Sequence, residues 1–102
     1  MYLYVWEYLV DPELSDEFER LYGPEGAWVE LFRRSPRYLG TDFYQDRDNP
    51  ERFITIDRWR SEGDWQAWRE TVGAEFEALD RRGDELTVSE REVGRFDRVA
   101  NS

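Results

Sequence analysis

The sequence predicts an α+β fold in which one antiparallel sheet of four strands is covered by helices on one face. The chain has 102 residues, which is the size of one small domain. Aromatic residues make up 17% of it, so it can bury large apolar groups. Its segments follow the order β-α-α-β-β-α-β, which is the ferredoxin-like split βαβ arrangement with an extra helix. We therefore expect residues 1–102 to form one domain.

The first half of the chain predicts one strand and two helices. The sequence YLYVWEYLV, at about residues 2–9, is rich in aromatic and β-branched residues, which is typical of a strand. Asp11 and Pro12 are typical of a helix start, and a Gly-Pro pair at residues 23–24 ends that helix. A second, short helix ends before Pro36. The apolar residues that share its predicted face are Ala27, Trp28, Leu31 and Phe32.

The middle of the chain predicts a hairpin and a longer helix. Residues 38–45 and 52–60 read as two strands joined by the turn-forming sequence DRDNPE. Ser61 followed by Asp64 resembles a helix capping box. The helix that begins there has apolar residues at spacings of three and four and is expected to end at about Asp80.

The last part of the chain is expected to complete the sheet. The sequence RRGDE predicts a loop after the long helix. Thr87, followed three residues later by Glu90, predicts a helical turn with a capping box. The sequence REVGRFDRV then supplies the fourth strand.

The first and third strands are apolar on both faces. The first strand places Tyr4 and Trp6 on one side and Leu3 and Val5 on the other, and the third strand repeats this alternation around Ile54. Such strands are expected where both faces of a sheet are covered, but the predicted helices cover only one. A second copy of the chain is the simplest cover for the other face, so we expect a homodimer.

Composition excludes several classes of partner and reaction. The net charge of −10 argues against nucleic acid and against an anionic membrane surface, since both require a basic protein. The sequence has no long apolar run and no leader pattern, so a soluble cytoplasmic protein is expected. Histidine, cysteine and lysine are absent. We therefore expect no metal, no heme and no Schiff-base chemistry, which leaves Asp, Glu and Tyr for proton transfer.

Several segments together resemble a known family. They are YGPEGAWVELFRRSPRYLGT, the strand-to-helix junction TIDRWRSEGDWQAW and the closing LTVSEREVGRF. With the order of elements, they are similar to the antibiotic biosynthesis monooxygenase family of dimeric α/β barrels. The resemblance implies a dimer of two such sheets. It also implies one of three roles: cofactor-independent oxidation of polyphenols to quinones, heme degradation, or a domain of unassigned activity.

The heme-degrading branch of that family is not matched residue by residue. Its members use a Trp on the helix after the third strand, a His further along that helix and an Asn in the first strand. Only the Trp has a counterpart, at Trp68, whereas Ala78 and Val5 occupy the regions of the other two. Neither residue can bind heme iron as imidazole does, so we expect no heme cofactor.

The expected function is therefore a cofactor-independent monooxygenase that oxidises a phenolic or polycyclic aromatic metabolite with O₂. The reaction needs an aromatic site, a base and a group that stabilises an oxyanion. Asp57 is the candidate base, and Arg58 and Arg60 are candidates for anion stabilisation, although their alternation points them away from the Asp57 face. The candidate catalytic residues are Asp57, Trp59 and Trp68, and the candidate substrate-binding residues are Trp6, Trp28, Thr55 and Trp65.

A non-catalytic alternative stays open. Trp65 and Trp68 lie at core spacing on a helix, and Asp57 has the pattern of a structural carboxylate as well as that of a base. The chain is then a dimeric module that binds a small hydrophobic molecule, or a structural domain. A pocket of a few hundred Å³ that holds Asp57 and indole edges favours the enzyme, and a space filled by indole rings favours the module.

Overall fold

The described residues, 1–100, form a four-stranded sheet and four α-helices in a computed structural model. The strands are β1 (Tyr2–Val10), β2 (Tyr38–Gln45), β3 (Arg52–Trp59) and β4 (Thr87–Asp97). The helices are α1 (Ser15–Tyr22), α2 (Ala27–Phe32), α3 (Glu62–Thr71) and α4 (Gly73–Leu86), and a 3₁₀ turn covers Pro12–Leu14. No helix of this part of the chain has the length and apolar character that a membrane span requires.

The sheet has the strand order β2-β3-β1-β4, and each neighbouring pair is antiparallel. This is the ferredoxin-like arrangement, so the predicted α+β fold is confirmed. In the register, Tyr4 lies opposite Asp57 and Trp6 lies opposite Thr55. On the other side of β1, Tyr8 lies opposite Glu90. Because paired residues point to the same face, the register brings residues of three strands to one surface.

The core lies between one face of the sheet and the helices. Phe53 and Trp59 of β3 and Phe18 of α1 are at most 1% exposed. Their rings join those of the two short helices, and Phe32 packs edge-on against Trp59 at 5.7 Å between centroids. Strand alternation puts these residues on the same face of β3 as Thr55, which is also buried.

The other face of the sheet is apolar but only partly covered within this chain. Leu3, Val5 and Leu9 of β1 are half-buried, as are Ile54 and Ile56 of β3. Exposed apolar side chains lie on the outer strands, among them Leu39 at 47% and Phe96 at 48% exposure. The apolar character of both faces is therefore present in the structure as it is in the sequence.

Two predicted helix starts are confirmed by their caps. The Asp11 carboxylate accepts a hydrogen bond from the backbone N–H of Glu13 at 3.0 Å. The Ser61 hydroxyl oxygen accepts one from the backbone N–H of Asp64 at 3.1 Å. Both side chains satisfy N–H groups that have no partner inside their helix.

The prediction for residues 62–90 was wrong at two points. The long helix is two helices that break at Val72, whose φ of −115° and ψ of 19° leave the helical region. The second helix continues through the expected loop to Leu86. Gly83, interpreted as a loop signal, is a packing residue: a Cβ there would lie 2.0 Å from the Tyr22 hydroxyl.

Thr87 begins β4 and does not begin a helical turn. Its backbone is extended, with φ of −114° and ψ of 142°. Its hydroxyl donates to the Gly83 carbonyl at 3.1 Å, so this side chain satisfies the end of α4. Glu90, expected to be a capping residue, is therefore a strand residue that pairs with Tyr8.

Candidate functional site

A cavity of about 90 Å³ lies between the inner face of the sheet and the helices. Its walls are aromatic. The first strand contributes Tyr4, Trp6 and Tyr8, and the helices contribute Tyr22, Trp28, Phe32, Trp65 and Phe76. Tyr4 packs edge-on against Trp65 at 5.4 Å and lies 5.5 Å from Trp6, so β1 and α3 share one wall. Such walls favour a flat apolar ring as the occupant.

Asp57 provides the polar group at one end of the cavity. It lies on β3 between Thr55 and Trp59 on the inward face, and Thr55 also lines the cavity. The Thr41 hydroxyl donates to Asp57 Oδ1 at 2.8 Å, and the Tyr38 hydroxyl lies 2.5 Å from the Thr41 oxygen. Because the Thr41 proton points to Asp57, the Tyr38 hydroxyl donates to Thr41. Tyr38, Thr41 and Asp57 are therefore joined by two consecutive hydrogen bonds.

The surroundings of Asp57 make it a weak acid. Burial raises its pKa to about 7, against the smaller opposing effect of the hydrogen bond from Thr41. Near neutral pH, such a carboxyl group is ionised in some of the molecules and protonated in the others. This is the property that a general base requires at that pH.

A second carboxyl group, Glu90, provides the polar group at the other end. Asp80 of α4 lines the cavity beside it, and carboxylate oxygens of Asp80, Asp84 and Glu90 all lie within 4.8 Å of one another. Burial, together with the charges of Asp80 and Asp84, raises the pKa of Glu90 to about 7. Three carboxyl groups at this end leave a local excess of negative charge.

The tyrosine hydroxyl groups of the cavity stay protonated. Burial raises the pKa of Tyr4, Tyr8 and Tyr22 above the usual value of tyrosine. Within residues 1–100, no arginine lines the cavity. The cavity therefore holds neutral hydroxyl groups and carboxyl groups, with no fixed positive charge to receive an anion.

The Trp28 ring is part of the packed wall of the cavity. Its side chain is buried, and its indole nitrogen, which makes no hydrogen bond of normal geometry among the described residues, lies near enough to the Tyr22 hydroxyl to lower the pKa of that group. Its ring packs edge-on against Phe76 at 5.0 Å, and Phe76 lies one turn before Asp80 on α4. Trp28 therefore joins α2 to α4 in this wall.

The structure brings together five of the seven candidate site residues. Asp57, Thr55, Trp6, Trp28 and Trp65 line the cavity. Trp59 and Trp68 do not line it. Trp59 is 0% exposed and packs against Trp68 at 5.3 Å. The Trp68 indole N–H donates to the Leu31 carbonyl at 2.8 Å. These two rings form the packed layer behind the cavity.

The two arginines considered for anion stabilisation lie elsewhere. The Arg58 guanidinium packs against Gly40 and lies 3.3 Å from the Asp42 carboxylate. The Arg60 guanidinium donates two hydrogen bonds to Asp64, at 2.7 and 2.9 Å. Neither side chain lines the cavity that holds Asp57.

Sequence reasoning missed Asp80 and Glu90 as cavity residues. Asp80 was expected at a helix end, where an acidic residue is commonly solvated, and Glu90 was expected to cap a helical turn. The useful signal was the alternation in the last strand, which continues back to Thr87 and puts Glu90 opposite Tyr8. Recognising that earlier strand start would have placed Glu90 on the inner face.

The chain is similar to one protein family and to several solved structures. A family model described as antibiotic biosynthesis monooxygenase matches residues 1–79. A search of curated proteins finds no match. Among solved structures, the chain is similar to SnoaB, a cofactor-independent oxygenase from Streptomyces nogalater: the TM-score is 0.78 at 16% identity, over 98% of this chain and 94% of that one.

Two further solved structures share the fold at similar distance. A conserved protein from Methanosarcina mazei has a TM-score of 0.75 at 21% identity, over 93% of this chain and 89% of that one. A protein from Mycobacterium tuberculosis has a TM-score of 0.73 at 12% identity, over 99% of this chain and 97% of that one. At these identities the likeness extends to the fold alone.

Proposed function

Because the chain belongs to the antibiotic biosynthesis monooxygenase family, we propose that it is a cofactor-independent monooxygenase that oxidises a small phenol with O₂. The observation that carries this proposal is Asp57, a carboxyl group with a pKa of about 7 at one end of an aromatic cavity. The name of SnoaB, a cofactor-independent oxygenase, supports the reaction class. The substrate is inferred from the cavity alone.

The reaction begins with removal of the phenolic proton. Asp57 accepts this proton, and the resulting phenolate is electron-rich enough to react with O₂ directly. One oxygen atom bonds to a ring carbon that carries hydrogen. That carbon loses its hydrogen, and the second oxygen atom leaves as water with this hydrogen and the phenolic one. The product is a quinone, and all four electrons that reduce O₂ come from the phenol.

The other cavity residues assist this step without changing their own protonation. Trp6 and Trp65 hold the ring against the wall. The Tyr38 hydroxyl donates to Thr41 and the Thr41 hydroxyl donates to Asp57, so these two groups hold the carboxylate in position. Trp59 and Trp68 keep the wall in place from behind.

The cavity favours a substrate with one ring over a polycyclic one. Its volume is about 90 Å³, whereas sites for larger ligands span roughly 300–1,000 Å³. This volume is also below the few hundred Å³ that, by the criterion set from the sequence, favours an enzyme over a non-catalytic module. A three-ring substrate would require the walls to move, so the phenolic part of the expected substrate range is the better supported one.

The test is oxygen incorporation over a series of phenols that differ in size. The protein is incubated under ¹⁸O₂ with phenol, 1-naphthol and anthrone, and quinones are analysed promptly by mass spectrometry. We expect one ¹⁸O atom per quinone from the one-ring and two-ring compounds and a lower rate with anthrone. Failure to convert any of the three, at protein concentrations that give detectable binding, supports the alternative of a non-catalytic small-molecule-binding module.

We further propose that the chain acts as a homodimer through the outer face of its sheet. The half-buried aliphatic residues of β1 and β3 and the exposed Phe96 of β4 support this. Light scattering at micromolar concentration should give twice the 12.4 kDa mass of one chain. Val5→Arg places a charge in this face and should give the monomer mass, whereas a monomeric parent protein would contradict the proposal.

A further inference from the structure

Two aromatic rings of the helices separate the cavity from the solvent. Of the five rings that the helices contribute to its lining, Tyr22, Trp28 and Phe32 are buried, whereas Trp65 and Phe76 are half-buried. A half-buried ring that lines the cavity also reaches the surface of the protein. Trp65 and Phe76 are therefore the helix rings whose position decides how far the cavity extends.

These two rings lie at opposite ends of the cavity. Trp65 packs edge-on against Tyr4 at 5.4 Å, and Tyr4 lies opposite Asp57 in the sheet. Phe76 lies one turn before Asp80, which lines the other end. A substrate that places its phenol at Asp57 therefore extends its remaining rings towards Phe76.

The Phe76 ring is held between a buried ring and a cation. Trp28 packs edge-on against it at 5.0 Å from within the protein. The guanidinium carbon of Arg69 lies 3.8 Å from the Phe76 ring centroid, well inside the distance of about 6 Å at which a cation is attracted to a ring face. Because Trp28 is buried and Arg69 is half-buried, the guanidinium covers the side of the ring that is turned to the solvent.

Arg69 connects α3 to α4 across the break at Val72. The backbone N–H of Phe76 donates to the Val72 carbonyl at 2.8 Å, so the ring belongs to the first turn of α4. The pKa of Asp80 is raised chiefly by burial, and the Arg69 charge opposes this rise. The guanidinium therefore lies against the side of α4 that carries both Phe76 and Asp80.

We propose that Phe76 sets the size limit of the substrate by closing this end of the cavity, and that Arg69 is a positioning residue which holds the Phe76 ring in place. The inference rests on the proposed function for the placement of the phenol at Asp57. The Phe76 side chain ends in one six-membered ring, so its removal leaves space for one more fused ring of a ligand. An apolar space of this kind inside a protein binds an aromatic ring.

The experiment measures binding by equilibrium dialysis under nitrogen, where oxidation cannot occur. The ligands are phenol, 1-naphthol and anthrone, which have one, two and three rings. We expect the parent protein to bind anthrone at least about tenfold more weakly than phenol, since a well-packed wall rejects extra volume. The ratio of the anthrone Kd to the phenol Kd then measures the size limit. Equal or tighter binding of anthrone by the parent protein would overturn the inference without any variant.

Removal of the Phe76 ring should relax the limit. Phe76→Ala should lower the ratio at least about tenfold. Leu79→Ala is the matched control, because Leu79 is half-buried on the same helix and, within residues 1–100, is not part of the cavity lining; its ratio should equal that of the parent. If circular dichroism shows that Phe76→Ala does not fold, Phe76→Leu should give a smaller change in the same direction. An unchanged ratio in a folded Phe76 variant, or an equal change in Leu79→Ala, would contradict the assignment.

Removal of the Arg69 guanidinium should relax the limit less. Arg69→Gln should lower the ratio by about two- to fivefold, the factor that corresponds to one exposed cation–π contact. Arg69→Lys keeps a cation and should restore part of the parent ratio, and Arg81→Gln, an exposed change on α4, should leave it unchanged. In the Phe76→Ala background, Arg69→Gln should have no further effect, since the ring that it holds is gone. Equal loss of affinity for phenol and anthrone in Arg69→Gln would show a merely structural role and overturn the positioning one.

The two proposals fail separately. Size selection in binding without ¹⁸O incorporation under O₂ would remove the oxygenase and keep the role of Phe76. Oxidation of phenols with a Kd ratio that does not respond to Phe76→Ala would keep the oxygenase and remove the role of Phe76.

Discussion

Asp57 and Glu90 have the same raised pKa of about 7 for different reasons. The pKa of Asp57 is raised by burial alone, and the Thr41 hydroxyl donates a hydrogen bond to this carboxylate. The pKa of Glu90 is raised by burial and by two neighbouring carboxylates. An isolated carboxyl group of this kind suits proton uptake, whereas a crowded one suits the binding of a positive charge. Equal pKa values therefore do not imply equal roles.

Removal of the Asp57 carboxylate should have the largest effect. Asp57→Asn keeps the shape of the side chain but removes the proton acceptor, so turnover of a phenol should fall by about two to four powers of ten. The affinity for the phenol should fall much less. Steady-state oxidation rates and calorimetry measure the two effects, with the exposed Glu62→Gln as the control.

An unchanged rate per folded Asp57→Asn molecule would show that the carboxylate is structural. Loss of folding in that variant, with the activity of the remaining folded fraction intact, leads to the same conclusion. The chemistry would then have to be assigned to another group of the cavity.

The pH dependence of stability should be the next largest effect. The folded pKa of Asp57 is about 7 against 3.8 for the free group. A raised folded pKa contributes stability that is complete below about pH 4 and is lost as the pH rises through 7. The difference corresponds to on the order of 4 kcal/mol in the free energy of unfolding.

Asp57→Asn should therefore be more stable than the parent protein at pH 8 and close to it at pH 4, as measured by urea unfolding. Asp46→Asn is the contrasting control. The backbone N–H of Asp48 and the Arg52 guanidinium lower the pKa of Asp46, so its loss should reduce stability at pH 8. An Asp57→Asn protein that is less stable than the parent at pH 8 would contradict the burial of this carboxyl group.

The sequence predicted the framework of the site better than its second charged end. Strand alternation put Asp57 and Thr55 on the inner face, and the register with Tyr4 and Trp6 confirms that placement. Which tryptophans line the cavity depends on how the helices sit on the sheet, and a helical spacing does not distinguish Trp65 at the cavity from Trp68 in the core. The residue spacing within one sequence does not show how the helices are placed on the sheet.

The second end was missed because local signals in that segment have tertiary causes. Gly83 is conformationally permissive and therefore suggests a loop, but in the structure its lack of a side chain leaves room for the Tyr22 hydroxyl. Thr87 and Glu90 match a capping box by spacing, yet Thr87 closes the preceding helix. The contact of Gly83 with Tyr22 and the pairing of Glu90 with Tyr8 join residues far apart in sequence, so local patterns could not reveal them.

The packing at Gly83 gives a prediction of intermediate size. A Cβ at this position would lie 2.0 Å from the Tyr22 hydroxyl, so Gly83→Ala should destabilise the protein by about 1–3 kcal/mol. Gly73→Ala is the matched control, because a Cβ there meets no atom within 4 Å, and it should be neutral or slightly stabilising. Adding Tyr22→Phe to Gly83→Ala should recover part of the loss, and thermal unfolding measures all three.

The smallest expected effect concerns the one polar neighbour of Asp57. Thr41→Val keeps the shape of the side chain but removes the hydroxyl that donates to Asp57 Oδ1. That hydrogen bond lowers the pKa of Asp57 against the larger effect of burial, so its removal should raise the pKa. A neutral hydrogen bond contributes about 1 kcal/mol, which limits the increase to about one pKa unit. Glu90 has other neighbours, and its titration should not move.

Titration of the carboxyl carbons by NMR follows both groups in one sample. A shift of both pKa values together would show that the two ends of the cavity are coupled through its walls, and no shift at Asp57 would show that the Thr41 hydroxyl does not hold its proton toward this carboxylate.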